Sequence, residues 1–369
     1  MKITRLNLVN FRNYSSLAIK LGPQMNIFVG DNAQGKTNIL EAITFLALTK
    51  SHRLGVHPNV IMFDKKKAKI KGVIKKDKII SKLEIDMAEN EKKLFVNQTE
   101  IKKVADYISN LNIIVFSPDD LEIIKGSPNV RRNLLNIQLS QVSKVYLTVY
   151  NEYNKLLRTR NEYLKVLFQN SIADSSYLDI ITDKLIEKAV FIYQKRNEYI
   201  QFVNQNIDFY YKQINGESGL IVDYHPNIEF PSFDSEDIRK TLKHYYKKNY
   251  KKELNYGMTL VGPHRDDFSF VLLDKDLKFF GSQGQQKTAV LAYKLSEIPI
   301  FEQLLDTKPV LLLDDIFSEL DLKKRNRLLK LIHSDIQSII TTTDLKNINK
   351  KYLVNAYIYN VKNGNVERK

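Results

Sequence analysis

Eight residues constrain this chain more than any others: Gly30-Asp31-Asn32-Ala33-Gln34-Gly35-Lys36-Thr37 puts a glycine at each end of a short loop and follows the second with a lysine and a hydroxyl. The apolar run Met25-Asn26-Ile27-Phe28-Val29 precedes it, and apolar residues recur at helical spacing afterwards, at Ile39, Leu40, Ile43, Leu46 and Ala47. Buried strand, glycine loop and amphipathic helix in that order make a phosphate-binding loop. Glycine lets the backbone N–H groups, from Gly30 through Thr37 to Asn38, wrap a phosphate. Lys36 supplies charge to the terminal phosphates, Thr37 offers its hydroxyl to magnesium, and the helix N-terminus adds its dipole. The expected ligands are therefore ATP and Mg2+.

A second segment completes such a site. Pro309-Val310-Leu311-Leu312-Leu313-Asp314-Asp315 reads as a fully buried strand that ends in two carboxylates. Asp314 is assigned to magnesium, directly or through water, and Asp315 to orienting or deprotonating the attacking water. The residues alone also allow the pair to cap the next helix. Lys36, Asp314 and Asp315 are the expected catalytic set, with Thr37 and Asp314 on the metal.

The 369 residues suffice for two domains, or one with a large insertion, and 43% hydrophobic content furnishes cores. Without cysteine there are no disulfides, thiolate nucleophiles or cysteine-held zinc, and the six histidines lack metal-ligand spacing. Met1-Lys2-Ile3-Thr4-Arg5 leads directly into strand-like alternation, and no stretch has the length of a membrane span. A cytoplasmic protein without a membrane partner is expected. The net charge of +15 points to a polyanion such as DNA, although the Lys-, Asn- and Ile-rich composition is also what an A/T-biased genome yields.

Between Lys67 and Phe95, charged and apolar residues alternate as in antiparallel strands with one wet face. From about Arg131 to Phe209 the period becomes helical, and from Gly257 onward strands and helices alternate as a parallel sheet requires. The expected fold is α/β, a P-loop ATPase head built from both chain ends (1–120 and 257–369), with 121–256 a mainly helical insertion forming a second lobe.

Ser282-Gln283-Gly284-Gln285-Gln286 opens a helix-like run. It resembles the signature segment of ABC-type ATPases, which contacts the γ-phosphate bound by the opposite subunit; Ser282, Gly284 and Gln285 carry that resemblance. Ser318-Glu319-Leu320-Asp321 resembles the D-loop, and Thr341-Thr342-Thr343-Asp344 lies in the switch position with threonine rather than the histidine of transporters. A non-histidine switch is common in the chromosome-maintenance and DNA-repair branch.

Leu8-Val9-Asn10-Phe11-Arg12-Asn13-Tyr14, the phosphate loop, Lys50-Ser51-His52-Arg53, Phe116-Ser117-Pro118-Asp119-Asp120-Leu121, Lys125-Gly126-Ser127-Pro128, Gly262-Pro263-His264-Arg265-Asp266-Asp267 and Asp314 to Asp321 follow one another in the order of the RecF family. The chain resembles that family from end to end. The resemblance implies a DNA-binding ATPase of the DNA-damage (SOS) response that dimerises on ATP and hydrolyses it slowly, with DNA stimulating the weak turnover. It also implies action on gapped or double-stranded DNA with RecO and RecR to load the recombinase.

Within these motifs Arg12 is assigned to the nucleotide, and Arg53, His264 and Arg265 either reach the site or form salt bridges. Lys243-His244-Tyr245-Tyr246-Lys247-Lys248-Asn249-Tyr250-Lys251-Lys252 interleaves cations and aromatics, as a phosphate-tracking surface does, and equally as a solvated helix face with its tyrosines turned inward. Two other classes fit parts of the pattern: a transporter-type ATPase subunit, disfavoured by the threonine switch, and a DNA-binding module that keeps ATP as a structural ligand.

Overall fold

The computed structural model describes residues 1–51, 60–89, 91–169, 175–318, 320–332, 335–345 and 348–369. They divide into two compact units: Met1–Leu121 with Ile207–Ser218 and Gln283–Lys369, and Glu122–Asn206 with Gly219–Ser282.

The first unit contains two six-stranded sheets. One is wholly antiparallel, in the order Tyr14–Lys20, Lys2–Phe11, Lys67–Lys76, Ile79–Ala88, Lys92–Val96, Thr99–Glu100. Its alternating sequence is its cross-section: Ile3, Leu6, Leu8, Ile70, Ile74, Leu83 and Ile85 are buried, while the lysines between them stay on the wet face. The other runs Asn365–Arg368, Tyr357–Lys362, Met25–Val29, Ser338–Thr342, Val310–Leu313, Ile113–Phe116, parallel except for the terminal hairpin. Its four inner strands come from opposite ends of the chain. Val29 lies opposite Thr342, and Leu313 opposite both Ile340 and Phe116, so the strands' carboxyl ends share one edge.

Two buried amides close this arrangement. Gln337 accepts from the Ile3 N–H at 2.7 Å and donates to the Ile3 and Gly22 carbonyls at 2.8 and 2.7 Å. Asn26 accepts from the Gly22 N–H at 2.6 Å and donates back to its carbonyl at 3.0 Å. Both are essentially inaccessible to water, so losing either would strand donors and acceptors at a cost of roughly 1–3 kcal/mol each.

Helix Lys36–Leu48 touches strands of both sheets and is buried along most of its length, which is why its sequence beyond Asn38 is mostly apolar. Gly72 lets it approach: a Cβ there would lie 2.3 Å from Leu46 Cδ2.

The second unit contains helices Pro128–Val142, Lys144–Gln169 and Ser235–Tyr256, and the greater part of the 40-residue helix Ser176–Asn215. The helical period from Arg131 to Phe209 is thus realised. The unit is not only helical, since Leu220–His225, Asp267–Leu272 and Lys275–Asp276 form an antiparallel sheet. Here the expected division is corrected: residues 257–282 pack with this unit because Asp267–Leu272 pairs with Leu220–His225, and residues 207–218 belong to the first. No helix among the described residues is long and apolar enough to cross a membrane.

Buried charge holds the second unit together. Arg196 donates to Asp266 at 2.7 Å and to Asn136 at 3.0 Å, and Asp266 also accepts from the Tyr224 hydroxyl at 2.6 Å and the Asn227 N–H at 2.9 Å. Arg160 likewise donates to Glu253, Thr259 and Thr182 at 2.7 to 2.8 Å. Removing one partner of such a pair leaves an uncompensated buried charge, which costs about 3–5 kcal/mol.

His264 sits beside this network. The Thr259 carbonyl, 3.2 Å away, can only accept from Nε2–H, so Nδ1 accepts from the Tyr153 hydroxyl at 2.6 Å. That tautomer is neutral, and burial with the neighbouring arginines pushes the imidazole down to about 4. The fold therefore binds fewer protons here than the unfolded chain does. This contribution to stability is present above the ordinary histidine range and lost as pH falls from about 6.5 toward 4, by roughly 2 kcal/mol at pH 5. Urea unfolding at pH 7 and pH 5 should show a smaller loss for His264→Gln than for wild type; equal losses would assign the acid sensitivity to other groups.

Candidate nucleotide site

The shared carboxyl edge of the parallel sheet is where the chemistry gathers. From Gly30 the chain turns back over the strand end. Gly30 has no room for a side chain, since a Cβ would meet the Val361 carbonyl oxygen at 2.2 Å. Gly35 adopts φ 108°, a conformation that L side chains rarely take, and a Cβ there would collide with Asn13 and Tyr14. The two glycines are thus required by the Val361 backbone at one end of the loop and by the Asn13 and Tyr14 side chains at the other.

The same neighbours brace the loop. The Tyr14 hydroxyl donates to the Gly35 carbonyl at 3.1 Å, and Asn38 Nδ2 to Asn13 Oδ1 at 2.8 Å. Asn363 N–H donates to Gln34 Oε1 at 2.6 Å, from the turn of the C-terminal hairpin. Gln34 and Asn38, expected in the backbone wrap around the phosphate, use their side chains to fasten the loop, and of the two Asn38 also lines the cleft. Nothing in the isolated sequence marks Asn13, Asn363 or Val361 as braces.

A cleft of about 230 Å³ opens over this loop. Asn32, Ala33, Gly35, Lys36 and Thr37 line one side, and Asp314, Asp315 and Thr341 the other. The two halves meet at Asp314: its Oδ1 accepts from Thr37 Oγ1 at 2.8 Å and from Thr341 Oγ1 at 2.8 Å. A hydroxyl and a carboxylate in direct contact are the oxygen donors that magnesium uses when a ligand's phosphates complete its shell. The described residues contain no cluster of three or more carboxylates or histidines able to hold a metal unaided. The donor set therefore fits a metal that arrives with a nucleotide.

Lys36 Nζ donates to the Gly30 and Asp31 carbonyls at 2.6 and 2.7 Å. Burial draws this ammonium down from the ordinary lysine range, while Asp315, Asp314 and Asp31 pull it back up. Lys36 thus lines the cleft with its ammonium held by two backbone carbonyl oxygens.

Asp315 has φ 46°, unusual for a residue with a side chain, and its N–H donates to Thr341 Oγ1 at 2.9 Å. Its Oδ2 accepts from Ser318 Oγ at 3.1 Å, whereas Oδ1 is buried without a hydrogen-bond partner among the described residues. A strained backbone and an unsatisfied carboxylate oxygen beside a phosphate site are the marks of a group positioned for a ligand rather than for the fold. Thr341 earns its place twice over, as donor to one carboxylate and acceptor for the backbone of the next.

Arg12 is otherwise engaged. Its Nε and Nη2 donate to the two oxygens of Glu41 at 3.0 and 2.7 Å, and Ser51 Oγ donates to the same carboxylate at 2.7 Å. Glu41 is fully buried on the helix after the phosphate loop, so the bidentate pair ties that helix to the first hairpin. Arg12, expected on the nucleotide, is engaged in this ion pair and is not among the residues that line the cleft.

The signature segment is a true helix start: Gln283–Ser296 runs 14 residues, with Ser282 and Gly284 exposed ahead of its buried body. Gly284 and Gln285 do not line the cleft of their own chain. Lys324 Nζ donates to Thr288 Oγ1 at 3.0 Å, tying this helix to Leu322–Ile332. Asp120 caps the turn after Phe116, accepting from Ser117 N–H at 2.8 Å, and pairs at 2.5 Å with the buried Lys294.

Of the remaining candidates, His264 is a packed structural residue, and Arg265 donates to the Thr259 carbonyl from an exposed position. Arg53 and Glu319 lie outside the described residues.

Comparison with known proteins bears on the whole chain. A family model described as the RecF/RecN/SMC N terminal domain matches residues 2–367. "DNA replication and repair protein RecF" from Lactobacillus johnsonii is 39% identical over 372 residues, spanning all of both chains, and its counterpart from Halalkalibacterium halodurans is 39% identical over 371. The solved structure of the recombination mediator protein RecF with ATP, in the RecFOR pathway, superposes with a TM-score of 0.91 at 31% identity, covering 100% of this chain and 97% of that one. An Smc head bound to the C-terminal winged-helix domain of ScpA shares the fold at a TM-score of 0.55 and 15% identity, covering 100% of this chain and 97% of that one. With a phosphate loop facing two strand-end aspartates, an ABC-type α/β head drawn from both termini and full-length similarity to these proteins, the chain belongs to the RecF family.

Proposed function

We propose that this chain is an ATP-dependent DNA-binding protein of recombinational repair, in which ATP joins two copies and slow, DNA-stimulated hydrolysis parts them. The observation that carries it is Asp314, held by Thr37 from the phosphate loop and Thr341 from the switch strand, with Asp315 beside it strained and unsatisfied. Thr37 and Asp314 would hold a magnesium ion, which would offset the negative charge of the phosphates. Lys36 would turn from the Gly30 and Asp31 carbonyls to the terminal phosphates, and Asp315 Oδ1 would accept the proton of the water as its oxygen bonds to the γ-phosphorus and the bond to the departing ADP breaks.

Pairing follows from what the cleft lacks. Ser282, Gly284 and Gln285 stand at a helix N-terminus suited to a phosphate, yet Gly284 and Gln285 serve no phosphate in their own chain's cleft. A second copy supplies them in trans, so each nucleotide is enclosed by two chains. DNA as substrate is supported by the net charge of +15 and by the relatives' names, and RecO and RecR as partners by the RecFOR pathway to which the solved relative belongs. The site of action is then a single-strand gap or duplex junction in the bacterial cytoplasm, where the protein helps to load the recombinase.

Lys36→Ala should abolish ATP-dependent dimerisation in sedimentation, whereas Ser282→Arg should bind ATP normally and fail to pair. A Ser282→Arg protein that dimerises with ATP would sink the trans site. Asp315→Asn should accumulate the dimer if hydrolysis ends pairing; unchanged dimer lifetime would make ATP a structural ligand. The decisive measurement is ATP turnover against protein concentration at low salt, with and without gapped duplex. Turnover rising faster than linearly and stimulated by DNA is expected, and a rate indifferent to DNA would remove DNA from the function.

A further inference from the structure

Helix Ser235–Tyr256 carries a dense run of single-sign charge. From Ile238 to Lys252 it contains no acidic residue, and Lys247, Lys248, Lys251 and Lys252 are all exposed. Four-residue spacing stacks Lys243 under Lys247 under Lys251, and Lys248 under Lys252, on one surface. Each like-charge pair at this spacing destabilises a helix by about 0.2–0.5 kcal/mol. Carboxylates offset only the N-terminal members: Lys240 pairs with Glu236 and Lys243 with Asp183, both at 3.5 Å. Glu253, the next acid along, faces inward to Arg160 and is fully buried.

The helix dipole does not account for the stripe. Its favourable effect on cations is confined to the last turn, which here contains no basic residue. Nor is the helix loosely attached. Tyr246 donates to the Val261 carbonyl at 2.8 Å and packs under Arg160, whose guanidinium lies 4.7 Å from its ring. Tyr250 packs against Leu164, Leu167 and Leu178. Tyr246 and Tyr250 therefore anchor the helix, and its outer face is dominated by ammonium groups, with His244 and the half-buried Tyr245 beside them.

From this we infer that the exposed face formed by Lys247, Lys248, Lys251 and Lys252 is a binding surface for the sugar-phosphate backbone of duplex DNA, engaged without regard to sequence. The inference rests on the DNA-binding reading above and locates it. Charge complementarity carries it: a preorganised row of cations with a repulsive cost in isolation is relieved by a polyanion, whose condensed counterions are released on contact.

The test is the salt dependence of duplex binding by the full chain in the presence of ATP. Each phosphate contact contributes about 0.9 to the slope of log K against log salt, so Lys247→Gln, Lys248→Gln, Lys251→Gln and Lys252→Gln combined should lower its magnitude by roughly three to four. Affinity at low salt should fall by at least about tenfold, equally for unrelated duplex sequences. The corresponding four Lys→Arg changes should keep the wild-type slope, and ATP-dependent pairing should be unaltered in both. Removing like charges relieves repulsion, so the glutamine variant is expected to melt no lower than wild type; if it misfolds, Lys247→Gln with Lys251→Gln should still remove about two from the slope. Wild-type binding with an unchanged slope in the folded variants would overturn the stripe alone. Absence of duplex binding by wild type at low salt would overturn the DNA reading and the stripe together.

Discussion

The parallel pairing of Met25–Val29 with Ser338–Thr342 is the constraint on which the first unit depends. It sets the strand that launches the phosphate loop beside the strand that ends in the switch threonines, and Val310–Leu313 lies next to the latter. Register then does the rest: with Leu313 level with Ile340, Asp314 emerges beside Thr341 and across from Thr37. A one-residue slip would reverse every side chain and bury the wrong ones. Gln337 and Asn26 hold this register from the opposite end of the strands, where their amides bond to backbone of the first hairpin and its following turn.

Much of the site was legible because its chemistry is local. Gly30, Gly35, Lys36 and Thr37 announce themselves through spacing, and Asp314 and Asp315 through an apolar run that ends in charge. What escaped depends on partners. The ion pair of Arg12 with Glu41 is one such contact, since a glutamate on a helix gives no sign in sequence that it is buried. His264 sits in a motif that could reach the site, yet Tyr153 and Thr259 hold it as a packed structural group. The division of the chain was misplaced for a related reason: alternation identifies Asp267–Leu272 as a strand but does not say which sheet it will join.

The two units use polar groups differently. In the first, buried amides satisfy backbone at the seam, and the remaining polar residues gather at one edge where a ligand can finish satisfying them, as the unpartnered Asp315 Oδ1 illustrates. In the second, Arg160, Arg196, Glu253 and Asp266 are paired within the core, so loss of either member of a pair would leave a buried charge uncompensated. A motif in one unit is thus shaped by ligand chemistry and a motif in the other by internal electrostatics, although both look equally polar in sequence.

The seam also orders events during synthesis. Asn26 and Ser338, hydrogen-bonded across it, are 312 residues apart in sequence. At ribosomal speeds of about 5–20 residues per second, the first strand waits on the order of half a minute for its neighbour. The N-terminal antiparallel strands have their partners close by in sequence and can form early, but the edge that would bind a nucleotide cannot exist until the last strands leave the ribosome. A chain interrupted anywhere before residue 338 would therefore carry an intact phosphate-loop sequence with no sheet to mount it on, and such fragments would not compete with finished molecules for ATP.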